Sequence, residues 1–272
     1  MKFSTTSVAL IVSGVMVSAS AIPAGLDRRA TGTLSDPIWI DIDCSGNDAN
    51  AHICNMDCYA ILCFAAPNPV RYDAKQSDVK RQRSGYSSRL LRNQEATRQK
   101  RGITIAQRIL DLLGVSVEET VMANTVEGGW GEIMGPGDAT ANELIGSRVG
   151  GQLRSNVPDG DYYFKWFMNY GPAQYCSALQ GGLSGPHSQV PASGVRPDTS
   201  VCPKKGKKET DPANIMFIRE AKDSEDGQPH FHMMDWDAGD RWTGKPWLFQ
   251  GSYPSVKRDL EGEDKEGIEL KA

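Results

Sequence analysis

Several common marks of catalysis are missing from this 272-residue sequence. It has no glycine-rich phosphate loop and no Gly-x-Ser-x-Gly elbow, which argues against the nucleotide-binding proteins and serine hydrolases that carry those motifs. Only four histidines are present, and His52 and His187 stand alone in the chain. Isolated histidines more often make structural hydrogen bonds than perform catalysis. Beyond the N-terminal region, no apolar run approaches the roughly 20 residues of a membrane-spanning helix.

The N-terminal region predicts export. Lys2 precedes an uncharged run from Ser7 to Ser18, which ends in Ala19-Ser20-Ala21. A basic start, an apolar stretch and a small-x-small cleavage site are typical of a secretory signal peptide. Serines interrupt the run, which argues against a membrane anchor. We expect residues 1–21 to be the signal peptide, residues 22–36 to be a leader or pro-segment, and the mature protein to be secreted, extracellular and not bound to a membrane.

The cysteine pattern predicts disulfides. The mature region contains six cysteines, an even number that favours bridges in an oxidising compartment. Their spacing differs from the paired Cys-x2-Cys of common zinc sites. Four of them lie within twenty residues, so we expect two local bridges of unspecified connectivity among that group. The third bridge is then predicted between the last two. The six are Cys44, Cys54, Cys58, Cys63, Cys176 and Cys202.

Charge is segregated along the chain, although the formal net charge is only −4. From Arg71 to Arg108 the sequence has eleven Lys or Arg residues against three acids. Such a segment favours a local face for phosphate groups. The alternative is an ordinary solvated helix surface.

Hydrophobic periodicity predicts a chain of mixed α and β structure. The pattern favours strands over 37–44 and 162–167, two strands between 116 and 134, and helices over 51–64, 104–113 and 140–153. Thr140 is the predicted N-cap of the last helix, because Glu143 three residues later completes a capping-box pattern.

The C-terminal third differs in composition. Residues 171–254 predict a loop-rich and aromatic extension, in which 171–214 form a long loop held by one bridge and 215–253 add strands. Trp236, Trp242 and Trp247 favour a core over a binding platform. His230 and His232 with the aspartates that follow them raise the alternative of a zinc site, and residues 255–272 predict a disordered acidic tail.

Three blocks of the sequence resemble one known family. The first is Cys54-Asn55-Met56-Asp57-Cys58-Tyr59-Ala60-Ile61-Leu62-Cys63, followed by Tyr72-Asp73. The second, from Ser116 to Gly129, is similar without a gap to the family pattern Ser-Cys-Asp-Glu-Tyr-Pro-Phe-Ala-Ser-Thr-x-Glu-Gly-Gly. The third comprises Asn142, Gly146, the run 150–153 and the turn 158–161. Together they resemble the NucA/NucB-type deoxyribonuclease domain of secreted fungal proteins, over about residues 40–170.

The resemblance implies a small, disulfide-stapled α+β nuclease domain over residues 37–170, related to the ββα-metal (His-Me finger) group. It implies a secreted, metal-dependent, non-specific deoxyribonuclease. The resemblance places Glu118 of this sequence where the family has its catalytic aspartate. Glu118 would then act as general base, with Glu119 and Glu127 as nearby acids. A competing interpretation is a catalytically inactive secreted binding module on the same scaffold.

The resemblance also suggests ligands for this site. Asn142 and Glu127 would hold Mg²⁺ or Mn²⁺, which prefer oxygen ligands and bridge to phosphate. DNA, bound without sequence specificity, is the expected partner, since contacts to phosphate carry no sequence information. The residues expected to hold its backbone are Arg81, Arg83, Arg89 and Arg92.

Overall fold

The structure is a computed structural model that describes residues 31–86, 89–92, 94–129, 131–202, 206–220 and 226–234. The predicted signal peptide, most of the leader, the tryptophans after residue 234 and the predicted acidic tail lie outside the described residues. Within them the chain is a mixture of α and β structure with two small sheets, as the periodicity predicts. No helix in these ranges has the length and apolar character needed to cross a membrane.

The strands of the described chain are β1 (Ile38–Asp43), β2 (Val70–Arg71), β3 (Ser116–Glu119), β4 (Ile133–Gly137), β5 (Tyr162–Met168), β6 (Phe217–Arg219) and β7 (Phe231–Met233). The helices are α1 (Asp48–Phe64), α2 (Ser77–Ser84), α3 (Glu95–Lys100), α4 (Gln107–Leu113), α5 (Ala139–Asn156), α6 (Gln174–Leu179) and α7 (Pro212–Ile215). Short 3-10 turns occur at Ala74–Gln76, His187–Gln189 and Thr199–Val201.

The first sheet has the order β1-β5-β2. β1 pairs in parallel with β5, and β2 pairs antiparallel to the other edge of β5. The alternation in β1 buries Ile40 and Ile42 on one face, as a half-buried strand requires. β5 is central and aromatic, and its Tyr163 and Phe167 are fully buried.

Helix α1 is buried along most of its length, which explains its mainly apolar and small side chains. The Asn47 side chain caps its N-terminus by accepting a hydrogen bond from the Asn50 N–H. Two glycines of β4 allow the helix to approach that strand. A Cβ on Gly137 would lie 2.3 Å from Ile53 Cδ1, and one on Gly135 would lie 2.5 Å from Met56 Sδ. The backbone of β4 therefore lies directly against α1.

The second sheet has the antiparallel order β3-β4-β6-β7. It combines strands from both sides of the domain boundary predicted at residue 170. β4 leads directly into α5, so β3, β4 and α5 form a β-β-α unit that is continuous in sequence. Thr140 is not the N-cap predicted for this helix. Asp138 takes that role, because its carboxylate accepts the Ala141 N–H at 2.9 Å.

All six cysteines are paired, which confirms the prediction of disulfides, but the predicted pairing is wrong. The bridges are Cys44–Cys54, Cys58–Cys176 and Cys63–Cys202. Cys58 and Cys63 cannot pair with each other, because Cys63 lies five positions after Cys58 on the same helix, about 7.5 Å along its axis and beyond the reach of a disulfide. Helix α6 packs on α1 and brings Cys176 to Cys58. Two bridges therefore hold the 171–214 segment, and it contains short helices rather than one long loop.

We predict that the long-range bridges stabilise the fold more than the local one. Cys58 and Cys176 are 118 residues apart, whereas Cys44 and Cys54 are 10 apart. The chain-entropy model then gives a loss in unfolding free energy of about 4–5 kcal/mol for Cys58→Ala/Cys176→Ala and about 2–3 kcal/mol for Cys44→Ala/Cys54→Ala. Guanidinium unfolding of the two double variants measures both values. Equal losses would contradict the prediction, and peptide mapping without reduction checks the pairing itself.

Candidate functional site

A cavity of about 370 Å³ lies beside β3 and the first turns of α5. Asp57 of α1, Arg81 of α2 and Lys165 of β5 also line it. The cavity is lined by both polar and apolar residues, and Ile42 and Val149 are among the apolar ones. The polar lining residues are Asp57, Arg81, Tyr86, Ser116, Glu118, Glu119, Asn124, Asn142, Glu143 and Lys165.

Strand β3 supplies two neighbouring acids to this cavity. Glu118 and Glu119 pair in register with Gly135 and Met134 of β4. β3 is the edge strand of its sheet, and both residues are part of the cavity lining. The structure thus brings Glu118, Glu119 and Asn142 to one cavity, as the sequence predicts.

Beneath Glu118 lies a buried ion pair. Lys165 Nζ of β5 is 2.9 Å from Asp57 Oδ2 of α1 and donates a further hydrogen bond to the Thr120 carbonyl oxygen at 2.6 Å. Both side chains are less than one tenth exposed. Asp57 Oδ1 is buried and has no hydrogen-bond partner among the described residues.

Burial sets the protonation of the two β3 acids. It raises the pKa of Glu118 well above its usual range, and the Asp57 carboxylate raises it further, while the Lys165 ammonium opposes the change. It raises the pKa of Glu119 to about 7, against the lowering effects of a Ser84 hydrogen bond and of Arg81. Both residues are partly exposed, but Glu119 Oε1 is itself buried without a partner in the described chain. Burial therefore favours the neutral form of Glu118, and at neutral pH Glu119 is close to half ionised.

A third acid, Glu132, lies behind the β3 pair and is fully buried. Its Oε1 accepts the Val121 N–H at 2.8 Å and the Ile133 N–H at 3.1 Å, which fixes the chain between β3 and β4. Burial and the nearby Glu119 raise the pKa of Glu132 well above its usual range. Glu132 therefore supports β3 from outside the cavity.

Asn142 connects α5 to β3. Its side-chain amide donates to the Val117 carbonyl oxygen at 2.9 Å and to Ser116 Oγ at 3.1 Å. These two bonds hold the strand that carries Glu118 and Glu119. The observed role of Asn142 is thus to position β3.

Glu127 lies apart from the cavity lining. Its carboxylate accepts the Arg71 backbone N–H at 2.9 Å and so fastens β2 to the 120–129 segment. Burial raises its pKa to about 7. The structure does not bring Glu127 together with Glu118 and Asn142 at this cavity.

Of the four arginines predicted to hold DNA, Arg81 lines the cavity. Arg83 follows it on α2, while Arg89 and Arg92 are exposed in the segment between α2 and α3. None of these three belongs to the cavity lining. Arg98 of the same basic stretch is buried and binds the Leu91 and Arg92 carbonyl oxygens, so part of the charge run is structural.

The donor set does not fit the Mg²⁺ or Mn²⁺ site that the family pattern implies. Glu127 lies outside the cavity, so of the two expected ligands only Asn142 is present there, and a lysine ammonium already occupies Asp57 Oδ2. Across the described ranges, no group of three or more His, Cys, Asp and Glu side chains is arranged to hold a metal ion. His230 and His232 pair separately with Asp226 and Glu220.

Sequence reasoning missed Asp57 and Lys165 as site residues. Both carry a detectable signal, because each is a charged residue inside an otherwise buried element. Asp57 lies among the cysteines of α1, and Lys165 interrupts the aromatic run of β5. A charge at such a position needs a partner, since an isolated buried charge is very costly.

Comparisons with protein-family models, with curated proteins and with solved structures found no match for this chain.

We predict that Glu119 makes the protein less stable as pH rises. Its pKa is about 7 in the folded state against an ordinary 4.5, so between these values the folded state retains a proton that the unfolded state loses. The unfolding free energy therefore falls through this window. Glu119 contributes about 1 kcal/mol to the decrease in unfolding free energy between pH 5.5 and 7.5, once its partial exposure is allowed for. Replacing Glu119 by Gln should remove this contribution. Urea unfolding at both pH values measures it, and identical pH dependence in the two proteins would contradict it.

A second prediction distinguishes two roles of Asn142, which are hydrogen bonding to β3 and binding a metal ion. Asn142→Asp keeps an oxygen ligand and adds charge but loses both N–H donors to β3. We expect a loss of about 1–3 kcal/mol in unfolding free energy, because the Val117 carbonyl then faces a carboxylate. Ser116→Ala is the control, since it removes only one of the two acceptors. Stability equal to wild type, or restored by added Mn²⁺, would favour the ligand role.

Proposed function

We propose that the protein is a secreted hydrolase that cleaves phosphodiester bonds of DNA without sequence specificity, at the cavity beside β3 and α5. The observation that carries the proposal is the pair of adjacent carboxyl groups, Glu118 and Glu119, in one cavity with two cations, Arg81 and Lys165. Carboxyl groups whose surroundings push their pKa values apart are suited to divide acid and base roles.

Two further features support this proposal. The acids lie on the first strand of a continuous β-β-α unit, and α5 braces that strand through Asn142, which agrees with the order of elements that the family resemblance implies. The basic helix α2 ends beside the cavity and contributes Arg81 to it. Cations beside a reacting phosphate neutralise the charge that develops during hydrolysis.

The raised pKa values of the two acids support a division of roles between them. Glu119, with a pKa of about 7, is the base that takes a proton from the attacking water. The water oxygen forms a bond to phosphorus, and the bond from phosphorus to the leaving sugar oxygen breaks. Glu118, whose neutral form is favoured because burial raises its pKa, donates a proton to that oxygen. This assignment replaces the general-base role that the family pattern implies for Glu118.

A second candidate is a non-catalytic binding module on the same scaffold. The observation that favours it is the excess of acids, because Asp57, Glu118, Glu119 and Glu132 lie near only Lys165 and Arg81. Each of these acids repels phosphate when it ionises, and such a cavity would retain DNA weakly without cleaving it.

Plasmid nicking distinguishes the two candidates. We expect the wild type to nick supercoiled DNA, and Glu119→Gln and Glu118→Gln to lower the rate by about 10²–10⁴-fold, the usual contribution of acid–base catalysis. The rate of the wild type should rise with pH through about 7 as Glu119 ionises. Assays with Mg²⁺, with Mn²⁺ and with EDTA measure whether nicking requires a divalent cation.

The matched control is Glu127→Gln, an identical substitution outside the cavity, which should leave the rate within about threefold of wild type. Equal nicking by wild type and both cavity variants would reject the assignment. DNA retention by wild type with no nicking under any of these conditions would favour the binding module.

A further inference from the structure

We infer that the Lys165 ammonium takes the place of a divalent cation in this cavity and binds an anionic phosphate oxygen of the DNA directly. The inference rests on the proposed function, because it specifies how the same cavity holds its substrate. It adds a residue to the site that the family pattern does not suggest.

The geometry leaves Lys165 one free donor. An ammonium group has three N–H bonds. One is directed to Asp57 Oδ2 at 2.9 Å and one to the Thr120 carbonyl oxygen at 2.6 Å. No other hydrogen bond of Lys165 Nζ occurs within the described residues, and the side chain lines the cavity. The third N–H therefore remains for a ligand atom.

The surroundings hold the ammonium in place. Its side chain is 2% exposed, and the Phe167 ring centroid lies 5.9 Å from Nζ. The two oxygens that fix it come from α1 and from the segment after β3, so the charge cannot leave the cavity without breaking both contacts. A buried, fixed charge interacts more strongly with a ligand than an exposed one does, because little water screens it.

The same arrangement opposes a second cation. A carboxylate oxygen and a backbone carbonyl oxygen are ligands that Mg²⁺ or Mn²⁺ would use, and here an ammonium is bound to both. A divalent ion beside Glu118 would lie close to this positive charge in a poorly screened interior, where like charges repel strongly. The cavity therefore binds phosphate through a charge that is built into the chain.

The first test titrates Mn²⁺ alone into the protein and measures binding by calorimetry and by the shift in Tm. Wild type should show no saturable binding. Lys165→Met leaves the Asp57 carboxylate free beside Glu118, so Mn²⁺ should bind this variant and raise its Tm. Saturable binding to wild type that is as strong as binding to Lys165→Met would overturn the inference.

The second test measures binding of a non-hydrolysable phosphorothioate oligonucleotide by fluorescence anisotropy. Wild type should bind equally in EDTA and in Mg²⁺. The double variant Lys165→Met/Asp57→Asn removes the ion pair without leaving an unpaired charge, and it should bind at least 10-fold more weakly. Glu127→Gln, a substitution outside the cavity lining, keeps the ion pair and should bind within about threefold of wild type. Binding that requires Mg²⁺, or that survives in the double variant, would contradict the inference.

These measurements are independent of cleavage. If wild type binds the oligonucleotide in EDTA through Lys165 but nicks no plasmid, the hydrolytic function fails and the inference stands. If wild type nicks only with a divalent ion and binds Mn²⁺ saturably, the hydrolytic function stands and the inference fails. If a variant does not fold, saturable Mn²⁺ binding to wild type or oligonucleotide binding that requires Mg²⁺ still overturns the inference.

Discussion

The buried ion pair between Asp57 and Lys165 links three of the segments that surround the cavity. It joins α1 to the central strand of the first sheet across 108 residues of sequence, and the bond from Lys165 to the Thr120 carbonyl extends it to the second sheet. Removing one partner of such a pair typically costs about 3–5 kcal/mol, because the other charge is left buried and uncompensated. The placement of the two sheets and the electrostatics of the cavity thus depend on the same two side chains.

Hydrogen bonds between side chains and the backbone fix the strand that carries the other two cavity acids, Glu118 and Glu119. Glu132 accepts two N–H groups that fix the chain after β3, and Asn142 fixes β3 from the other side. Glu118 and Glu119 therefore lie on a strand that is braced by α5 and by the segment leading to β4. With more acids than bases in this volume, protons supply the missing positive charge, which is why burial moves their pKa values upward.

Local sequence patterns predict much of this arrangement. The remaining features depend on contacts between segments that are distant in sequence, and local patterns do not predict those contacts. The alternation of β1, the helical spacing of α1 and the aromatic run of β5 depend on nearest neighbours, so each element occurs where the pattern predicts it. The common location of Glu118, Glu119 and Asn142 follows from a continuous β-β-α unit. Glu127 is different, because its distance from Glu118 depends on the path of a loop. The bridges of Cys58 and Cys63 depend on which segment packs against α1, and spacing along the chain contains no such information.

Asp57 directly precedes Cys58, and Cys54 lies one helical turn before Cys58. The helix that presents the carboxylate to Lys165 is therefore fastened on either side of it by covalent links, one of which reaches α6. Thiol oxidation and assembly of the charged centre are for this reason coupled events. A chain whose cysteines are reduced lacks the two covalent links that flank Asp57, so the position of this carboxylate depends on conditions in which cystines persist.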